Sequence, residues 1–267
     1  DMKMGNSIDM KELEPIARPL LPIIFVLDTS GSMEGQPISM LNHTMEEVIN
    51  ILGNFAASNP DALLKIGLLQ VHSGAHWIQP KGLEEFGDFF YNPLTAGGLT
   101  EMGAALRELD NKLSRNAFLV STTGRCKPII IFLTDGQPTD DWQGPLKELN
   151  NRNKWYQFAI KIGFAVGKEA NSTILSQIVG NSEAVIQTSD LATFNLLLQK
   201  VAINSAMIGS KSHVTWDDYS SENIVHTSLA ETDTENAKTA KDAGIDFEPP
   251  EDLDPIPDVW GSDKWVD

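Results

Sequence analysis

A single cysteine, Cys126, stands in the 267 residues of the chain, so no intramolecular disulfide can form, which fits a reducing compartment. Its neighbours Arg125 and Lys127 would lower a thiol pKa, but a lone cysteine entering an apolar strand is ordinary core filler. Basic residues are scarce too. The chain has 20 Lys and Arg against 37 Asp and Glu, a net charge of −17, and no cluster of Lys and Arg to neutralise a phosphate backbone, which argues against a nucleic-acid partner. No apolar run approaches the roughly 18 residues that span a bilayer. The expectation is therefore a soluble, cytoplasmic protein with no membrane partner. Residue 1 is Asp rather than Met, which leaves the true N-terminus and any removed signal peptide open. Enzyme signatures are also missing. No GxxxxGK[ST] follows an apolar strand, and Gly97, Gly98 and Gly103 have the wrong spacing for a dinucleotide fingerprint. His72 and His76 lie four apart, but across a strand and a turn, so they do not make the paired zinc face of HExxH; His43 falls within a helix. No role is assigned to these three.

What is present is an alternation. Residues 1–18 carry no period and form a lead-in. Pro22 to Leu27 is an unbroken apolar run ending in Asp28, the pattern of a strand buried on both faces of a parallel sheet. Ile38, Leu41, Met45, Val48, Ile49, Leu52 and Phe55 then recur at helical spacing, with Pro37 suited to the first turn. Leu63 to Val71 and the shorter His76 to Gln79 predict strands, the second an antiparallel neighbour. After Gly97-Gly98-Leu99-Thr100 comes a helix marked by Met102, Ala105, Leu106, Leu109 and Leu113, with Thr100 where a cap belongs. Pro128 to Leu133 is the second fully apolar strand. The series closes with helix 144–150, strand 158–166, helix 172–179, strand 184–187 and helix 191–208. Such alternation predicts an α/β fold over residues 19–210, Rossmann-like, with a mostly parallel central sheet and helices on both faces.

In such sheets ligands gather at the carboxyl ends of the strands, where Asp28 and Asp135 both fall. Asp28-Thr29-Ser30-Gly31-Ser32 directly follows the first strand. Two hydroxyls two residues apart can point into one turn, Gly31 permits a tight backbone, and Asp28 adds a carboxylate. Thr100 and Asp135, on two other loops of the same edge, complete an oxygen-only set suited to Mg2+, or to Mn2+ or Ca2+. Asp and Ser after a strand are also ordinary turn formers. The coincidence of three loops is what favours the metal reading.

Asp28, Ser30, Ser32, Thr100 and Asp135 match, without departure, the DxSxS motif, second-loop Thr and third-loop Asp of the metal-ion-dependent adhesion site of von Willebrand factor A (vWA) domains. That resemblance implies magnesium-dependent protein binding. Ser30, Ser32 and commonly Thr100 would touch the ion, the two aspartates would often act through water, and an acidic side chain of the partner would supply the last ligand. Residues 25–33 with Gly35 to Ile38, the Gly97–Thr100 loop, and Phe132 to Trp142 (FLTDGQPTDDW) are similar to bacterial TerY-like vWA proteins over roughly residues 20 to 208. Those proteins are cytoplasmic, associated with tellurium resistance and stress responses, and often accompany a protein kinase and a PP2C-type phosphatase; their role is taken to be assembly, as a scaffold. Met33 and Gln137, within the matching motifs, become candidate partner contacts.

Two rival classes share this fold logic. A metal-dependent hydrolase or phosphatase of haloacid-dehalogenase type also opens with an Asp ending the first strand, but needs a second Asp where Ser30 stands. An extracellular adhesion protein would use the same five residues; the single cysteine tilts against it. With no nucleophile, base and orienting group seen together, the chain is expected not to be an enzyme. A carboxylate at a strand end is expected to contribute little to the core, so Asp28→Ala should leave the fold intact.

Residues 211–267 hold 15 Asp or Glu against 4 Lys or Arg, a net of −11 out of the −17 of the whole chain. Their prolines and sparse aliphatics predict an extended or disordered acidic tail, in place of the cysteine-rich C-terminal extension of some TerY-like proteins. Thr239-Ala240-Lys241-Asp242 matches the phosphothreonine pattern read by forkhead-associated domains. Trp260 and Trp265 would anchor a linear docking motif steered by acidic neighbours.

Overall fold

The structure is a computed structural model, described over residues 17–167, 170–211 and 220–242. In chain order its elements are β1 (Leu20–Asp28), α1 (Gln36–Ser58), β2 (Leu63–His72), β3 (Gly74–Trp77), β4 (Glu84–Glu85), α2 (Met102–Lys112), β5 (Ile129–Thr134), α3 (Gln143–Arg152), α4 (Lys154–Phe158), β6 (Ile160–Val166), α5 (Ser172–Val179), β7 (Val185–Thr188), α6 (Leu191–Ser210) and α7 (Ser221–Asp242). The strands form one sheet in the order β3-β2-β1-β5-β6-β7, with β4 beside β2. β1, β2, β5, β6 and β7 pair in parallel, whereas β3 and β4 run antiparallel to β2. This is the α/β architecture with a mostly parallel sheet that the alternation predicts.

β1 is buried at every position, and its side chains alternate between two cores as a pleated strand must. Ile23, Phe25 and Leu27 join α1 and α6 through Leu41, Met45, Val48, Leu197 and Val201. Ile24 and Val26 join α2, α3, α4 and α5 through Leu106, Leu109, Leu149, Tyr156 and Ile178. An unbroken apolar run is therefore the only sequence that fits this position. The order of the sheet reverses between β1 and β5, because the chain leaves β1 toward β2 on one side and returns as β5 on the other. Open parallel sheets part their loops at such a switch point, and ligands bind there.

Three expectations need correction. Phe158 does not begin a strand; it ends the short α4 and is 53% exposed, because the Asn153 side chain accepts the Tyr156 N–H at 3.1 Å and starts a helical turn. Thr100 is not the cap of α2. Glu101 holds that place and makes no side-chain cap bond. Within the region expected to be an extended tail, Ser221–Asp242 is a helix packed on α6 and β6. Its buried face holds Ile224, Val225, Ser228 and Thr232. Ser228 and Thr232 donate to the carbonyls of Ile224 and Ser228 at 2.7 and 2.8 Å, so their hydroxyls are satisfied within the helix and their small side chains can face the core. The sequence presents that face as polar.

Among the described residues α6 is long and apolar enough to cross a membrane by length and composition. It instead lays Phe194, Leu197, Leu198 and Val201 into the core against the sheet. Trp216, Trp260 and Trp265 lie outside the described residues, and Thr239 falls near the end of α7.

Candidate metal centre

Asp28, the last residue of β1, is fully buried. One carboxylate oxygen accepts the Ser30 N–H at 2.9 Å, and the other accepts the Thr134 hydroxyl at 2.6 Å. The first bond bends the chain back over the strand end; the second ties β1 to β5 across the switch point. Thr134 was not singled out from the sequence. Its signal is a lone hydroxyl closing a strand otherwise made of Ile, Phe and Leu.

The turn that follows aims its hydroxyls at the third loop. Ser30 Oγ and Ser32 Oγ lie 3.0 Å apart, and the Ser32 hydroxyl donates to Asp135 Oδ1 at 2.8 Å. Thr29, just before Ser30, turns inward, fully buried, where its hydroxyl accepts from the Gln70 side chain at 2.8 Å. The second loop is fastened by reciprocal backbone bonds: Gly97 N–H to the Thr29 carbonyl at 2.8 Å and Gly31 N–H to the Gly98 carbonyl at 3.0 Å. Gly98 has φ +78°, and a Cβ on it would lie 2.6 Å from Ser73 Oγ. Only glycine lets this loop press against the β2–β3 turn.

Thr100 and Ser32 converge over Gly136. A Cβ placed on that glycine would stand 3.7 Å from Thr100 Oγ1 and 3.9 Å from Ser32 Oγ. All five predicted residues thus stand at one point of the sheet edge. Thr100 and Ser30 are buried, Asp135 is half-buried and Ser32 is exposed. Burial pushes the Asp135 carboxyl above the ordinary range, as does Asp28 nearby, while the Ser32 hydrogen bond opposes the shift.

A hard divalent cation fits this set. An octahedral ion with bonds of about 2.0–2.1 Å places adjacent ligand oxygens about 3 Å apart, close to the Ser30–Ser32 and Ser32–Asp135 separations. The donors are oxygen only, and the exposed side at Ser32 leaves room for waters and an incoming ligand.

Of the candidate partner contacts, Gln137 is exposed beside Asp135. Met33 is not available: it is 1% exposed and belongs to the core beneath α1. A methionine just after the turn is drawn into the cluster because the 3-10 turn Gly31–Met33 points its third side chain inward.

Asp140 lies in the loop after β5, within the FLTDGQPTDDW motif. Its carboxylate accepts the N–H groups of Gly103 and Ala104, each at 2.9 Å. These belong to the first turn of α2, so the cap that Thr100 was expected to supply comes from the loop after β5.

Residues 23–137 match the family model described as von Willebrand factor type A domain. Among solved structures, proximal thread matrix protein 1 from the mussel byssus is 19% identical with a TM-score of 0.53, over 71% of this chain and 49% of that one. A further structure of it, described as having a zinc-occupied MIDAS motif, is likewise 19% identical with a TM-score of 0.53, over 71% of this chain and 48% of that one. The pilus adhesin SpaC from Lactobacillus rhamnosus GG, in an open conformation, is 14% identical with a TM-score of 0.50, over 70% of this chain and 30% of that one. The chain spans about half the length of the mussel protein. At these identities the likeness is one of fold.

Proposed function

We propose that this chain, which carries a von Willebrand factor type A domain, is a non-catalytic module that binds a protein partner through Mg2+ held by Ser30, Ser32 and Thr100, with Asp28 and Asp135 behind them. The observation that carries the reading is the bonded series Ser30–Ser32–Asp135 beside Thr100, at the switch point of the sheet. When bound, the ion supplies an open coordination position to a carboxylate of the partner. Asp28 is committed to the Ser30 N–H and the Thr134 hydroxyl and so fixes the turn. Ser32 lines the accessible side.

The motif FLTDGQPTDDW and the Gly97–Thr100 loop support the narrower setting: a cytoplasmic, bacterial TerY-like scaffold of stress responses and tellurium resistance, working beside a protein kinase and a PP2C-type phosphatase. The non-catalytic role rests on the composition of the site. Two hydroxyls, a threonine and two committed aspartates include no activated nucleophile with its own base.

The test has two stages. Calorimetric titration of the full chain with Mg2+, Mn2+ and Ca2+ should show one site, lost in Ser32→Ala, an exposed position whose change spares the core. The tagged chain should then retain a kinase or phosphatase from host lysate in Mg2+ and release it in EDTA. A wild-type chain that binds no divalent ion would overturn the reading.

A further inference from the structure

The ion site proposed above needs three loops at fixed spacing, and covalent structure provides none of that spacing between the second loop and the third. Thr100 reaches the site from the segment before α2, and Asp135 from the segment after β5. Residues 139–141, in the same loop as Asp135, grip residues 100–104 at several points. The Thr139 N–H and hydroxyl both donate to the Thr100 carbonyl, at 2.8 and 3.2 Å. Each oxygen of the Asp140 carboxylate takes one backbone N–H, Oδ1 from Gly103 and Oδ2 from Ala104. The carboxylate is only 18% exposed, with Arg107 one turn further along α2 at 3.7 Å from Oδ2. Gly103 makes the approach possible: a Cβ there would lie 2.0 Å from the Asp141 carbonyl oxygen.

We infer that Asp140 is a positioning residue of the ion site, which holds Thr100 at its working distance from Asp135 by capping α2 from the opposite loop. Three features support a role in the site rather than in the helix alone. The cap is delivered across loops although Glu101 stands at the local cap position and makes no such bond. It grips Gly103 and Ala104, three and four residues after Thr100, while Thr139 beside it holds the Thr100 carbonyl itself. The contact also takes a glycine at a helical position, where alanine would otherwise favour the helix. A carboxylate on the first-turn amides is a charge-assisted cap, since it meets two of the unpaired N–H groups and the positive end of the helix. Partners that orient metal ligands in this way typically change ion affinity about 10- to 100-fold when removed.

This inference rests on the ion-binding reading, and the experiment separates the two. Mn2+ is titrated into the full-length wild type, Asp140→Ala, Asp140→Asn, Arg107→Ala and Ser32→Ala, and thermal unfolding of each is recorded in EDTA. Asp140→Ala is expected to unfold cooperatively yet bind Mn2+ at least about tenfold more weakly. Asp140→Asn keeps one acceptor oxygen and should fall between it and wild type. Arg107→Ala, which removes only the flanking charge, should bind within about twofold of wild type. If Asp140→Ala does not fold, Asp140→Asn decides alone, by the same comparison. Wild-type affinity in the folded Asp140 variants, with binding abolished in Ser32→Ala, overturns the positioning role and leaves the ion site standing. A wild type that binds no Mn2+ overturns both.

Discussion

Lys161 offers a quantitative test of the fold away from the ion site. It lies on β6 at 9% exposure, with its ammonium donating to the Tyr156 carbonyl at 2.8 Å and standing 4.6 Å from the Tyr156 ring centre. No carboxylate pairs with it among the contacts of the described residues. Burial lowers its pKa from 10.5 to about 8, so at neutral pH the folded chain holds a charge it would rather lose. The unfolded chain binds more protons than the folded one between about pH 8 and 10.5. Stability must therefore rise with pH across that window. The gap corresponds to about 3 kcal/mol at pH 7, most of which is recovered by pH 10. Lys161→Met keeps the length and removes the charge. It should raise stability at pH 7 by about 1–3 kcal/mol, the range allowing for the lost hydrogen bond. The advantage over wild type should shrink by roughly 2 kcal/mol or more between pH 7 and pH 10. Urea unfolding of both proteins across that range is the assay, and groups titrating in both cancel in the difference. A pH-independent difference between the two would refute the assignment of a buried, weakly compensated charge at Lys161.

Two further changes have defined outcomes. Asp28→Ala, which from the sequence alone should spare the fold, leaves the buried Ser30 N–H without its acceptor and the Thr134 hydroxyl with only the longer 3.4 Å contact to the Gly136 carbonyl. A buried donor left unpaired costs about 1–3 kcal/mol, offset in part by removing a buried carboxylate; in EDTA a net loss of about 1–2 kcal/mol is expected, with a smaller one for Asp28→Asn, and urea unfolding measures both. Ile224→Ala, at a position of α7 with 0% exposure, should cost about 2–4 kcal/mol in the same assay if the helix belongs to the domain body, whereas an independent helix would leave the main transition unmoved.

How much of this was legible in the sequence depended on how locally each feature is encoded. β1 and β5 lie between two layers of helices, so both faces of each strand need apolar residues and the run is unbroken. Asp28, Ser30 and Ser32 sit within five residues of one another, and the turn that brings them together follows from Gly31 and the strand end. Thr100 could be placed beside them because Gly97-Gly98 announces a loop at the same edge, yet its backbone role was misjudged. The residue that caps α2 is 37 positions later in the chain, and no local pattern reports a cap supplied from another loop. α7 was missed for a different reason. A helix face made of Ser228 and Thr232 around two aliphatics buries well only because each hydroxyl bonds within its own helix, and hydrophobic periodicity does not register that. Met33 failed as a surface contact because a motif fixes residue identity, while the direction of the side chain is fixed by the 3-10 turn.

The charge balance stands against an acidic partner: a chain of net −17 should repel one. The chemistry of the site itself resolves the conflict, because exposed charges more than about 8 Å apart are largely screened at physiological ionic strength. At the site the two aspartates are already engaged. Asp28 is bound on both oxygens inside the protein, and Asp135 receives the Ser32 hydroxyl. The exposed donor is the Ser32 hydroxyl, and like its neighbours Ser30 and Thr100 it carries no formal charge. On the proposed reading, a divalent ion among them keeps much of its charge uncompensated toward solvent, so a carboxylate is attracted at contact although the molecule as a whole is acidic. Two further carboxylates in place of Ser30 and Ser32 would hold the ion more tightly and remove that attraction. A site with hydroxyls in front and carboxylates behind therefore suits exchange of an acidic ligand better than permanent storage of a metal.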